Sequence, residues 1–170
     1  MKKTLIFGAN GQLGSSLMRQ LDSPRGLTRE EIDVRDFEKV REIIKEYNPD
    51  VIINTTAYHD LVECENNPAE SFLVNCLAIK NMAETCKEID SEFVTISTDY
   101  AFGLDAKRKD PYTEEDLPGP INIYGISKLA GECAAFSSCN RTIVIRTCGL
   151  YGVEGSKTKV EGGTTVSDAR

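Results

Sequence analysis

Apolar positions along this chain switch between two periods in regular alternation. Thr4-Leu5-Ile6-Phe7 has almost no polar break and reads as a strand buried on both faces. From Gln12 to Leu21, residues Leu13, Leu17 and Leu21 fall on one helical face. Gly26-Leu27-Thr28 reads as a short second strand. Phe37, Val40, Ile43, Ile44 and Tyr47 then recur at helical spacing, with Asp36 as the cap and Pro49-Asp50 as the stop. Val51-Ile52-Ile53-Asn54 predicts a third strand. Asn67 followed by Pro68 opens a helix, because proline at the first helical position gives up no needed donor. Phe72, Leu73, Cys76, Ile79, Met82, Ala83 and Cys86 carry that helix to Ile89. Phe93 to Ser97 predicts a fourth strand. A loop containing Pro111, Pro118 and Pro120 follows, then a helix through Tyr124 to Phe136 and a strand from Thr142 to Arg146.

Strands alternating with helices predict an α/β fold with a doubly wound, Rossmann-type parallel sheet covered on both faces. The pattern runs from residue 1 to 152 as one dinucleotide-binding domain. Residues 153–170 are polar and aperiodic, and read as a flexible tail.

Composition narrows the partners. The 170 residues carry a net charge of -7, which argues against nucleic acid or an anionic membrane surface. No apolar run approaches the roughly 20 residues that span a bilayer. Asn10, Gly11 and Gln12 interrupt the apolar start too early for an export signal, so the expected location is cytoplasmic. Six cysteines without a C-x-x-C pair, and one histidine, His59, give no zinc pattern; the thiols read as reduced and mostly core-filling, and no metal ligand is assigned.

Two constellations carry chemistry. GANGQLG places Gly8, Gly11 and Gly14 between the first strand and the first helix. There glycines let backbone approach a pyrophosphate, and the helix N-terminus offers unpaired N–H groups. The spacing is G-x-x-G-x-x-G, and its weight comes from the strand before it, the helix after it, and Asp33 and Asp36 about 20 residues on. Thr28-Arg29 stands at the tip of the second strand, where an arginine accepts the 2′-phosphate of NADP and a carboxylate would favour NAD; Glu30 and Glu31 follow, so both cofactors stay open. YGISK sets Tyr124 and Lys128 on one helical face. An ammonium beside a phenol lowers its pKa, and a phenol so tuned can protonate a carbonyl oxygen while hydride reaches carbon. STDYAFG, at the carboxyl end of the fourth strand, offers Ser97 or Thr98 to the same oxygen.

LIFGANGQLG, EIDVRD, DVIINTTAY, STDYAFG, PYTEEDLPGPINIYGISKLAGE and VIRTCGLYG together resemble the extended short-chain dehydrogenase/reductases, specifically the dTDP-4-dehydrorhamnose reductase family. The resemblance implies an NADPH- or NADH-dependent oxidoreductase. Its substrate would be a nucleotide sugar, reduced at the 4-keto group of a dTDP-linked 6-deoxyhexose on the way to dTDP-rhamnose. It implies Tyr124 as proton donor, Lys128 as its tuner and a ligand of the nicotinamide ribose, Thr98 on the substrate oxygen and Asp99 beside the sugar. Gly11, Gln12 and Leu13 would meet the pyrophosphate, Asp33 and Val34 the adenosine, and Thr56, Ala57 and Tyr58 would line the cofactor. His59, next to them, reads as a loop residue. Gly149 stands where the family often has an aromatic residue, and the second strand is shorter than usual. The family's sugar pocket, and the dimer-bridging Mg2+ site of some members, would lie largely in a C-terminal portion that this chain lacks. A homodimer or a missing C-terminal half is the implied partner. The alternative is a non-catalytic dinucleotide-binding subunit resembling the methionine adenosyltransferase β subunit.

Overall fold

The computed structural model describes residues 2–151; the expected tail at 153–170 lies outside them. Five parallel strands form one sheet in the order β2-β1-β3-β4-β5. They are β1 (Thr4–Phe7), β2 (Arg25–Leu27), β3 (Val51–Asn54), β4 (Glu92–Thr98) and β5 (Thr142–Thr147). Leu5, Ile6 and Phe7 are wholly buried, as their unbroken apolar run predicts. Register sets Leu5 beside Ile52 and Phe7 beside Asn54. The order reverses between β1 and β3, and ligands of open α/β sheets bind in the crevice outside the carboxyl ends at that point.

The helices follow the apolar spacing. α1 is Gln12–Gln20 and α2 is Phe37–Tyr47. Asp36 caps α2 by accepting from the Lys39 N–H, and Val40 and Ile44 face the core. The stop comes at Asn48, in the left-handed region at φ 46°, one residue before Pro49. α3 (Leu61–Asn66) is a helix that the spacing did not announce. Pro68 does open the next helix, but the rod is not uniform. α4 (Pro68–Phe72) passes through a π-helical turn at Leu73–Leu77 into α5 (Ala78–Glu88) with right-handed backbone throughout. α6 spans Ile123–Ser138. Phe7, Val40, Ile44, Ile52, Ile79, Met82 and Phe93 join these layers in one core. Each such side chain contributes about 1.5–3 kcal/mol on burial.

Two expectations need correction. Only Cys64, Cys86 and Cys139 are core fillers; Cys76 is half-buried and Cys133 and Cys148 are exposed, all as free thiols. β5 is not covered on both faces, since Ile143 and Ile145 are exposed on one side of it within the described residues.

Candidate active site

The glycine turn is built as a cradle. Gly8 leaves β1 at φ 83°, a conformation that side chains resist. A Cβ at Gly14 would lie 2.1 Å from the Gly8 carbonyl oxygen, so α1 comes this close only because that carbon is absent. Gly11 caps α1 without a side chain, leaving the first-turn N–H groups without a capping partner from it. The Gln12 side chain donates to the Leu150 carbonyl at 3.0 Å.

Beside the turn lies an open cleft with about 610 Å³ of empty space. It brings together Gly8, Arg29, Asp33, Val34, Thr56, Ala57 and Tyr58 of the residues expected at a dinucleotide. Gly11, Gln12, Leu13 and Gly14 stand at the α1 end of the same turn and are not among its lining residues. The cleft also holds Arg35 and Glu70, which the sequence reading did not single out. Arg35 donates from Nε to Asp33 Oδ1 at 2.9 Å and from Nη1 to Glu70 Oε2 at 2.8 Å. The Arg35 guanidinium holds the Asp33 carboxyl down at about 2, with burial working against it. The one available signal was an arginine two residues past a candidate acid. Glu70 is too distant in sequence to be paired by inspection.

The loop after β3 is braced from behind. Thr56 donates to Asn54 Oδ1 through both its N–H, at 3.2 Å, and its hydroxyl, at 2.7 Å. Asn75, buried in the π-helical turn, accepts from the Tyr58 N–H at 2.9 Å and donates to the Tyr58 carbonyl at 2.8 Å. The same amide donates to Ser127 Oγ at 3.0 Å, and Ser127 donates to the Tyr124 carbonyl at 2.8 Å. One side chain thus ties the cleft to the helix that bears Tyr124 and Lys128.

That helix is placed at its start by two acceptors. Asn122 Oδ1 accepts from the Gly125 N–H at 2.7 Å, and Glu65 of α3 accepts from the Ile123 N–H at 2.8 Å. Tyr124 packs edge-on against Tyr100, with ring centroids 5.7 Å apart. Thr98 is buried at the end of β4 and accepts from the Tyr100 N–H at 3.2 Å, while Asp99 is exposed beside it. His59 is exposed in the loop before α3.

The expected electrostatic pairing is different in the structure. Burial pushes the Tyr124 hydroxyl above its ordinary value, with a hydrogen bond to Thr98 opposing. The Lys128 ammonium is directed to the backbone of β4. Lys128 as a whole residue is 5% exposed, and its ammonium donates to the Ile96 carbonyl at 2.6 Å. Tyr124 is therefore a protonated phenol at neutral pH, the state a proton donor requires. Burial pushes Lys128 down to about 8, with Glu132 working the other way. A lysine in the unfolded chain titrates near 10.5, so the unfolded chain binds more protons between pH 8 and 10.5 and stability from this group rises with pH there. At neutral pH the buried ammonium costs on the order of 3 kcal/mol. Lys128→Met is expected to raise stability at pH 7 by about 1–2 kcal/mol, once the lost bond to Ile96 is subtracted. It should also flatten the rise between pH 8 and 10.5. Urea melts across that range check both.

Among the described residues no group of three or more His, Cys, Asp or Glu side chains is placed to hold a metal ion. No described helix is long and apolar enough to cross a membrane.

The chain is similar in sequence and fold to known proteins. Residues 1–160 match the family model described as the RmlD substrate binding domain. The dTDP-4-dehydrorhamnose reductase of Mycolicibacterium smegmatis is 36% identical over 160 residues, covering 91% of this chain and 48% of that protein. The crystal structure of dTDP-4-dehydrorhamnose reductase from Bacillus anthracis, in complex with NADP, superposes with a TM-score of 0.86 at 32% identity, covering 91% of this chain and 56% of that one. The reductase structure from Clostridium acetobutylicum gives 0.85 at 33% identity, with the same 91% and 56% coverage. The chain spans about half the length of the curated relatives it matches. The regulatory-subunit alternative gains no support from them. With the glycine cradle, the Tyr124–Lys128 helix and these matches in one molecule, the chain belongs to the RmlD substrate binding domain family, that of the dTDP-4-dehydrorhamnose reductases.

Proposed function

We propose that this chain carries the cofactor half and the proton-donating residues of an NAD(P)H-dependent reductase acting on the 4-keto group of a dTDP-linked 6-deoxyhexose. The observation that carries this reading is the mechanical link through Asn75 between the cleft and the Tyr124 helix. A cofactor site and an acid that must act together are held by one buried side chain.

The residues fit a dinucleotide on the structure's own terms. Gly8 and Gly14 let the turn close tightly, since a Cβ at either would meet protein atoms at 2.6 and 2.1 Å, and the α1 N-terminus so held offers N–H groups and partial positive charge to a pyrophosphate. Gly11, Gln12 and Leu13 would donate there, Asp33 and Val34 would meet the adenosine, and Thr56, Ala57 and Tyr58 would line the cofactor after β3. A bound NAD(P)H supplies the hydride. Tyr124 gives its proton to the O4 oxygen as negative charge develops, and the Thr98 hydroxyl donates a hydrogen bond to that oxygen. Lys128, one helical turn away, is a cation that stabilises the phenolate left behind and holds the nicotinamide ribose. Asp99, exposed at the end of β4, faces the sugar.

Titration calorimetry with NADPH and with NADH tests the cofactor half, and NADPH consumption on adding the dTDP-4-keto-6-deoxyhexose tests the chemistry. A folded chain that binds neither nucleotide would overturn the reading. Arg29 lines the cleft just beyond β2, where an arginine meets a 2′-phosphate. Arg29→Ala is expected to weaken NADPH binding by about 1.5–3 kcal/mol, the range for a charged hydrogen bond, and NADH binding little. Equal losses for both nucleotides would remove Arg29 from the phosphate site.

A further inference from the structure

The second half of α6 buries a carboxylate that the proposed reaction does not use. Glu132 is 5% exposed and stands four residues beyond Lys128 on the same helical face. Arg146, from β5, donates to it from Nε at 2.9 Å and from Nη2 at 2.6 Å. The Ser97 hydroxyl, from β4, donates as well. The Arg146 guanidinium lies over the Phe102 ring, 5.0 Å from its centroid. All three donors come from outside α6 or from neighbouring strands, so the carboxylate is fixed by the sheet rather than by its own helix.

Such a pair is a weak source of stability. Removing two charges from water costs several kcal/mol per ion, and apolar residues of similar volume usually fill the space as well or better. Its placement, however, has an electrostatic effect on one neighbour. A small space beside Lys128 is bordered by Asn75 and Ile79 of the helical rod, Thr95, Ile96 and Ser97 of β4, and Gly131 and Glu132 of α6. Glu132 is the one ionisable side chain among these neighbours. Arg146 is bound to it from the β5 side.

We propose that Glu132, clamped by Arg146 and Ser97, is a positioning residue that keeps Lys128 an ammonium in its buried place. The proposal rests on the role given to Lys128 above, since a neutral amine there would neither stabilise a phenolate nor hold a ribose as a cation. The opposing effects of burial and Glu132 on Lys128 agree with it.

The test reads Lys128 directly and needs no turnover. In the 170-residue chain labelled with 13C at lysine Cε, the Lys128 resonance is assigned by its loss in Lys128→Met and titrated with pH. In Glu132→Gln its midpoint is expected to fall by about one pH unit or more, a tenfold weaker hold on the proton. Because Glu132→Gln leaves Arg146 without its partner and can unfold the chain, the double variant Glu132→Gln/Arg146→Met is measured alongside. It removes both charges, and a fall in the same direction but smaller is expected, because the Arg146 cation that opposes Glu132 is lost with it. A folded double variant whose Lys128 titrates with the wild-type midpoint overturns the proposal. If the reductase reading alone is wrong, the shift persists while the wild-type chain fails to bind NADPH.

Discussion

Tyr124→Phe is expected to leave the fold and the affinity for dinucleotide unchanged while lowering turnover of the keto sugar by about 10²–10⁴-fold, the usual contribution of a positioned acid. The substitution takes away one oxygen and little else. The ring keeps its edge-on contact with Tyr100. Thr98 loses a hydrogen bond but retains the Tyr100 N–H as donor and Asp99 Oδ1 as acceptor, so no buried polar atom is orphaned. The carbonyl oxygen would then take its proton from water, in a crevice shaped to present a phenol. The check is to follow NADPH consumption and NADPH affinity in the same preparation. Retained turnover would remove Tyr124 as the proton source.

The second large effect is on the scaffold. Gly131→Ala is expected to destabilise the chain by about 3 kcal/mol or more and to weaken dinucleotide binding in whatever fraction stays folded. A Cβ at Gly131 would lie 2.0 Å from the Asn75 carbonyl oxygen, which is backbone and cannot rotate aside. α6 and the π-helical turn would have to separate. That motion pulls on Asn75, and Asn75 holds both backbone polar groups of Tyr58 in the cleft. Urea melts and calorimetry on the variant check the two effects. A variant with wild-type stability would show that the helices tolerate separation.

The sheet and its main helices were legible because their signals are local. Leu5-Ile6-Phe7 has no polar break, and Val40 and Ile44 fall one turn apart. α3 was not legible because it has six residues, of which only Cys64 is buried, and Val62 points to solvent. Its local sign was Asp60, which accepts from the Glu63 N–H. The π-helical turn left no trace because apolar residues continue through it at close to helical spacing. In the site, Y-x-x-x-K gave the shared face of Tyr124 and Lys128 but not the target of the ammonium. The Ile96 carbonyl belongs to a strand 32 residues earlier, and only tertiary packing decides that partner. Ser97 was read as a possible donor to the carbonyl oxygen, but its bond to Glu132, and the Glu132–Arg146 pair itself, went unread for the same reason.

The wide turn at Leu73–Leu77 has a consequence for anyone who redesigns this protein. Each residue of a helix advances its neighbours by about 100°. Tightening that turn to regular α-helical bonding with every residue kept would rotate one half against the other by about that angle, because the wide turn takes up one residue more than an α turn does. The half beyond it buries Ile79, Met82 and Cys86 in the core, so that half would keep its seat and the preceding half would swing. A design program rewarding ideal geometry would make that change, and the more regular protein it returned would have pulled Asn75 off the Tyr58 backbone.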